Sequence, residues 1–342
     1  VKKPGQLIIG LIVAIAAVYY TMRNVSVSEL MDSFRHVKYI WLLPTFLLMC
    51  LTYVARAIRW RALLLPVREE VKTLDLFSPL MVGFMAGVLP ARAGELIRAY
   101  LLGKKFELSF ASSLATIVVE RLFDMILLLF LFSWILVFHG EIFDGNIAWS
   151  GISIRDLAFQ FGIFSLALVL VLIAFIYLLT FHNERAMSLV HWLVKPFPEK
   201  WQYKLIQMTE TFSQGLGVFR DVKALVYIGV ATAGVWALIV LQYYPLYWAY
   251  ELQDKSGASL ILLTVMICIL ITVLPTPAFL GSFNAGVLIA LHEIMGEAEV
   301  ATVSFGFVAW GVNFAVIVLG GVYFILHDHI SVKKLVEIEE EA

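Results

Sequence analysis

Glu120-Arg121-Leu122-Phe123-Asp124 interrupts an otherwise apolar stretch from Phe110 to Phe138. On a helix Glu120 and Asp124 stand at i, i+4, and Arg121 and Asp124 at i, i+3, so the three can interact. A charged side chain near a bilayer centre costs at least about 2.5–3.5 kcal/mol. Three together must therefore face the protein interior and compensate one another. Two uses fit such a cluster: a structural ion pair that locks helices together, or a substrate or proton site.

Arg92, Glu95 and Arg98 recur at spacing three just after the apolar run Leu76–Leu89. Pro90 and Gly94 free the backbone there, and a helix start with two guanidinium groups is a receptor for phosphate or carboxylate. The plainer reading makes both arginines cytoplasmic anchors, but that leaves Glu95 without a topological reason. Arg56 and Arg59 share the same spacing and, beside Trp60 and Arg61, suit headgroup anchoring, with Arg56 also placed to reach a cavity. Farther along, Thr276, Pro277, Gly281, Ser282, Asn284 and Gly286 supply small and polar groups without charge. Gln242, beside Tyr243, and Asn313 are polar residues inside apolar segments, each an interhelical hydrogen bond or a ligand contact.

These residues sit in a chain of 342 residues that is 61% hydrophobic and 15% charged, with mean hydropathy +0.89. Soluble domains are roughly 45–50% apolar and about 25% charged, so the chain is expected to be an all-α, polytopic, integral membrane protein. The net charge of −1 gives no basic field for nucleic acid. Cys50 and Cys268 lie inside apolar runs and make neither a disulfide framework nor a metal set. There is no G-x-x-x-x-G-K-[ST] loop and no G-x-S-x-G elbow, and His292-Glu293 lacks the second histidine of a zinc-protease motif. No cofactor is expected. Lys2, Lys3 and Ala14-Ile15-Ala16 resemble a signal peptide, but hydrophobicity continues beyond them, which favours a retained first helix.

Apolar segments fall at 7–22, 39–55, 76–91, 108–138, 157–181, 224–250, 258–275, 276–292 and 300–326. The run Leu76–Leu89 would extend about 21 Å as a helix, short of a roughly 30 Å hydrocarbon core. The lysines and arginines orient the loops. Arg56, Arg59, Arg61, Arg68 and Lys72 put the link after the second segment inside. Glu141, Asp144 and Asp156 put 139–156 outside, and Arg185, Lys195, Lys200, Lys204, Arg220 and Lys223 return 182–223 to the cytoplasm. Link 251–257 with Glu293, Glu297 and Glu299 suits the outside, and Lys333 and Lys334 the inside. These placements agree only if 76–107 and 258–292 are re-entrant hairpins entered from opposite faces. The expectation is about six full transmembrane helices plus two re-entrant helical hairpins, with both termini cytoplasmic. Residues 1–138 and 157–326 then form an inverted-topology repeat with a site near the bilayer midplane. Link 182–223 reads as an amphipathic surface segment broken by Pro196 and Pro198, and Glu337 to Glu341 as a solvated tail.

Four elements together resemble the lysylphosphatidylglycerol synthase transmembrane, or flippase-like, family. They are Leu89-Pro90-Ala91-Arg92-Ala93-Gly94-Glu95 with Arg98, Glu120-Arg121 with Asp124, Pro275-Thr276-Pro277 through Gly281, and the R-x-x-R-W run from Arg56 to Trp60. The resemblance covers about residues 5–327. It implies a lipid-translocating membrane domain, with the hairpin arginines and the Glu-Arg-Asp cluster lining a headgroup path. The chain ends at Ala342, without the aminoacyl-transferase domain of the two-domain synthases, so lysyl transfer is not expected. Ala278 stands where family members usually show glycine after the second proline of the second hairpin.

The function expected is transport of an anionic or zwitterionic lipid headgroup between leaflets of a bacterial or archaeal cytoplasmic membrane. The headgroup would belong to a phospholipid, an aminoacyl- or glycolipid, or a polyprenyl-phosphate carrier. Movement would be downhill or coupled to protons or another ion. The alternatives are an intramembrane lipid-modifying enzyme and a small-solute or ion transporter.

Overall fold

The computed structural model describes residues 4–65, 68, 70–88, 93–143, 154–215, 222–274 and 276–341. It is helical, with no strand among the described residues. In chain order the helices are α1 (Pro4–Met22), α2 (Val27–His36), α3 (Leu42–Leu64), α4 (Phe77–Gly87), α5 (Gly94–Phe106), α6 (Phe110–Phe138), α7 (Ile154–Phe181), α8 (Asn183–Val194), α9 (Glu199–Gly215), α10 (Val222–Leu241), α11 (Tyr244–Ala249), α12 (Gly257–Val273), α13 (Ser282–Leu288), α14 (Glu299–His327) and α15 (Val332–Glu341). A π-helical turn, Ile289–Ile294, continues α13.

Local chemistry sets several boundaries. Ser26 and Glu29 form a reciprocal capping box that starts α2. The hydroxyls of Ser109 and Ser256 accept the Ser112 and Ser259 N–H groups, each at 3.1 Å, and so open α6 and α12. Helix α5 stops where Glu107 turns left-handed at φ 56°.

Among the described residues, six segments are long and apolar enough to cross a membrane: Tyr39–Leu64, Ser112–Phe138, Gly162–Leu179, Lys223–Ala249, Pro277–Ile294 and Glu299–His327. The set differs from the sequence expectation in two places. The first apolar segment, 7–22, is not a straight crossing by itself, because the chain bends 73° between α1 and the polar, capped α2. Pro277–Ile294 passes by length, but its backbone turns through positive φ at Ala278 (54°), Phe279 (58°) and Gly281 (91°). Only Ser282–Ile294 runs on as one arm, about 20 Å long. That arm packs back on α12.

Both hairpins close through backbone contact at glycine. A Cβ on Gly94 would lie 2.3 Å from the Gly83 carbonyl oxygen and 2.6 Å from the Gly87 nitrogen, so α4 and α5 touch directly. A Cβ on Gly286 would lie 2.8 Å from the Ile267 Cα, which joins α13 to α12 the same way. Lipid tails are as apolar as leucine, so close backbone approach of this kind and polar contacts hold membrane helices together. Accordingly Leu11, Ile12, Phe164, Val171 and Leu319 are exposed, while Met49, Trp60, Leu80, Phe283 and Phe305 are buried.

Helix α14 places the two hairpins. Near its C-terminal end Phe77 stacks on Phe324 and Lys105 approaches Asp328 at 4.0 Å, so both outer ends of the α4–α5 hairpin lie there. Near its N-terminal end Asn24 donates to Glu299, Arg23 approaches Glu293, and Glu297 accepts the N–H groups of Gln253 and Asp254. The outer ends of the α12–α13 hairpin lie at that opposite end. Helix packing is reciprocal between the halves: α3 meets α10, α4 meets α14 as α12 meets α6, and α5 meets α6 as α13 meets α14. Helix α9 lies on α6, as α2 lies on α14.

The link after α7 forms α8 and α9, with Ala186, Val190 and Val194 buried at four-residue spacing and Trp192 and Leu193 exposed. Residues 216–221 of that link, and the tip residues Leu89, Pro90 and Pro275, lie outside the described residues.

Candidate functional site

Five charged side chains from three helices meet beneath the first hairpin. Arg59 on α3 is fully buried and spans both carboxylates of α6: one nitrogen reaches Asp124 Oδ1 at 2.5 Å, the other Glu120 Oε1 at 2.9 Å. Arg98 on α5 grips Glu120 with two nitrogens, at 3.2 and 2.6 Å. Arg121 donates to Glu120 at 2.7 Å and lies 3.3 Å from Asp124. Trp236 on α10 donates its indole N–H to Asp124 at 2.9 Å. The Arg98 guanidinium lies 3.7 Å from the centre of the Trp60 ring, and Trp60 is fixed by a 3.1 Å bond from its indole N–H to Thr116. Charge-assisted bonds of this density are the arrangement that compensates burial of ions.

The balance of charge is uneven. Three guanidinium groups, Arg59, Arg98 and Arg121, face two buried carboxylates, Glu120 and Asp124. Adding the half-buried Arg56 and the exposed Glu95 still leaves one positive charge in excess among the described residues. The cluster also grades from sealed to open. Arg59 and Glu120 are sealed, whereas the Arg121 and Glu95 side chains are 35% and 55% exposed and stand 3.4 Å apart.

That open side faces a cavity of about 430 Å³, within the range of roughly 300–1,000 Å³ for small-ligand clefts. Gly83, Phe84 and Gly87 line it from α4, Gly94, Glu95 and Arg98 from α5, and Arg121 from α6. Thr272 and Phe279 enter from the second hairpin and Ile317 from α14. One wall is thus ionic and the other aromatic and aliphatic. Arg56 stands behind the Phe84 wall, 5.1 Å from its ring centre. The hairpins touch beside this cavity: Ala278 donates its N–H to the Val88 carbonyl at 3.0 Å, and Trp310 near the middle of α14 donates to the Ala278 carbonyl at 2.8 Å.

Of the residues singled out from sequence, Glu95, Arg98, Glu120, Arg121 and Asp124 come together here, with Arg56 adjacent. Arg92 lies outside the described residues. The other four do not line the cavity. Ser282 bonds the Thr276 hydroxyl at 2.8 Å and the Phe279 carbonyl at 3.2 Å, tying the second tip together. Asn284 is buried against Gly306, and neither amide atom has a hydrogen-bond partner among the described residues. Gln242 is buried at the α10–α11 break beside Tyr243, and Asn313 is half-buried on α14.

Sequence reasoning assigned Arg59 to anchoring, and the structure places it at the centre of the cluster. Charge accounting would have found it, since Arg121 alone cannot balance Glu120 and Asp124. Trp236 carries no sequence signal beyond lying in an apolar helix, and Trp60 stands out only as the end of the R-x-x-R-W run, beside arginines read as anchors. No group of three or more His, Cys, Asp or Glu side chains is arranged to hold a metal among the described residues.

The family model described as the lysylphosphatidylglycerol synthase TM region matches residues 7–321. No match was found among curated proteins or among solved structures. The match takes in α2 to α13, both hairpins and the whole ion cluster, and the chain belongs to the lysylphosphatidylglycerol synthase TM-region family.

Proposed function

We propose that this membrane protein is a flippase-like transporter that carries an anionic or zwitterionic lipid headgroup between leaflets. The observation that carries the reading is the cavity between the two hairpin tips, where an excess guanidinium faces an apolar wall. A phosphate-bearing headgroup matches that combination: Arg121 and Arg98 present donors to the phosphate, and Phe84, Phe279 and Ile317 accept the adjoining apolar part.

Glu120 and Asp124 are enclosed by arginines and act as the scaffold that keeps the guanidinium groups in place. Glu95, beside Arg121 at the exposed edge of the cavity, is the carboxylate placed to meet an amine or exchange a proton. The two halves form an inverted repeat with both termini cytoplasmic, so each hairpin gives one leaflet access to the midplane. The tails stay in lipid while the headgroup crosses, and without an ATP motif the movement is downhill or ion-coupled.

The test is a scrambling assay in reconstituted vesicles with fluorescent phosphatidylglycerol, comparing wild type with Arg121→Gln. The expected result is at least about a tenfold slower flip with the lipid recovered chemically intact. Equal rates would end the headgroup role of Arg121, and a chemically altered lipid would point to an enzyme.

A further inference from the structure

A second cleft, about 390 Å³, opens at the C-terminal end of α14. Its walls are the start of α4 (Ser78, Pro79), the end of α5 (Tyr100, Lys104, Lys105) and the elbow from Asp328 into α15 (Lys334, Leu335). Three ammonium groups converge on it, and the one carboxylate lining it among the described residues is already engaged. Asp328 pairs with His327 at 2.6 Å and lies 4.0 Å from Lys105. Partial burial pushes the Asp328 carboxyl up, but hydrogen bonds from Ser78 and His327 and the nearby Lys105 hold it below the usual carboxylate range. Lys105 also approaches Asp75 at 3.8 Å. Lys334 lies 5.5 Å from the centre of the Tyr100 ring. Glu337, one turn along α15, does not line the cleft, and Lys104 makes no ion pair among the described residues.

The floor is apolar. Leu335 is buried against Val82, Ile97 and Leu101, so α15 is fastened to the first hairpin and holds Lys334 across from Lys104. We propose that this cleft is a second anion site, in which Lys104 and Lys334 hold a phosphate group from a lipid headgroup or from a soluble phosphate. The site lies on the same helix as Arg98, about 9 Å along the α5 axis. Its binding role is independent of whether the protein moves lipid.

The test uses the full chain in detergent, in an Arg121→Gln background that weakens the deep cavity. Short-chain phosphatidylglycerol retention is counted by native mass spectrometry, and inorganic phosphate is followed by phosphorus NMR line broadening. Lys104→Gln/Lys334→Gln should weaken binding at least about tenfold. Lys104→Arg/Lys334→Arg should stay close to the parent, and so should Lys38→Gln at the other end of the molecule. Lysine-dependent binding of phosphatidylglycerol alone assigns the site to a headgroup. Lysine-dependent broadening of inorganic phosphate, with displacement of the lipid, admits the soluble source. Unchanged binding of both probes in the glutamine variant overturns the proposal, as does equal loss in the arginine variant.

Discussion

Ala278 donates its backbone N–H to the carbonyl oxygen of Val88, 3.0 Å away, so the two hairpins meet tip to tip. Elsewhere in the chain α12 and α13 pack on other helices, and this bond is a direct link between the reversals themselves. It stands beside the cavity and is fixed to α14 through Trp310.

If headgroups pass between the tips, that contact must open. A Val88→Cys/Ala278→Cys pair, in a chain whose Cys50 and Cys268 are replaced by alanine, should stop lipid flip on oxidation and recover with reductant. Oxidised protein that flips lipid at the reduced rate would place the path elsewhere.

The tip is also strained. Ala278 and Phe279 both hold left-handed φ, a conformation that costs an L-residue about 1–2 kcal/mol. Ala278→Gly removes that cost and adds back about 0.4–1 kcal/mol through the freer unfolded chain. Thermal unfolding in detergent should therefore show it equal to wild type or more stable by up to about 1.6 kcal/mol. Ala278→Val should be clearly less stable. A large loss in the glycine variant would contradict the strain.

Arg59 is the most costly side chain of the cluster to remove, because it serves both Glu120 and Asp124 and is sealed from solvent. Arg59→Ala should destabilise by about 3–5 kcal/mol, the penalty for leaving a buried charge unpaired. Arg59→Lys should recover only part, since one ammonium cannot span two carboxylates with a planar fork. Arg121→Gln, at a partly exposed site, should cost far less stability than Arg59→Ala. Retention of the monodisperse peak after graded heating measures all three.

Gly94→Ala should separate the arms of the first hairpin. The added methyl would overlap the Gly83 carbonyl and the Gly87 backbone, and neither is a flexible side-chain end. The expected cost is about 1–3 kcal/mol, with slower lipid flip because Arg98 and Glu95 ride on α5. Unchanged stability and transport would mean that the arms do not touch as described.

The parts legible in sequence are those where charge and apolar length conflict. Glu120, Arg121 and Asp124 stood out because nothing else explains three ions in one greasy helix. The first hairpin stood out because its apolar run is too short to cross. Arg59 was obscured by its position: a basic residue at the end of a membrane helix has a ready explanation at the headgroup level. The bend after Met22 was missed because hydropathy registers composition and not direction, although the Ser26–Glu29 capping pair marks a fresh helix start there. Tip-to-tip bonding is a backbone event, and no side-chain pattern records it.

Helix α14 packs along α4 on the first hairpin and along α13 on the second, with Trp310 held to their meeting point. Under the proposed transport, a rod gripped in this way would act as a seesaw. Tilting it to widen the mouth above one hairpin would narrow the mouth above the other, so the lever itself would oppose simultaneous opening to both sides and no separate lock would be needed.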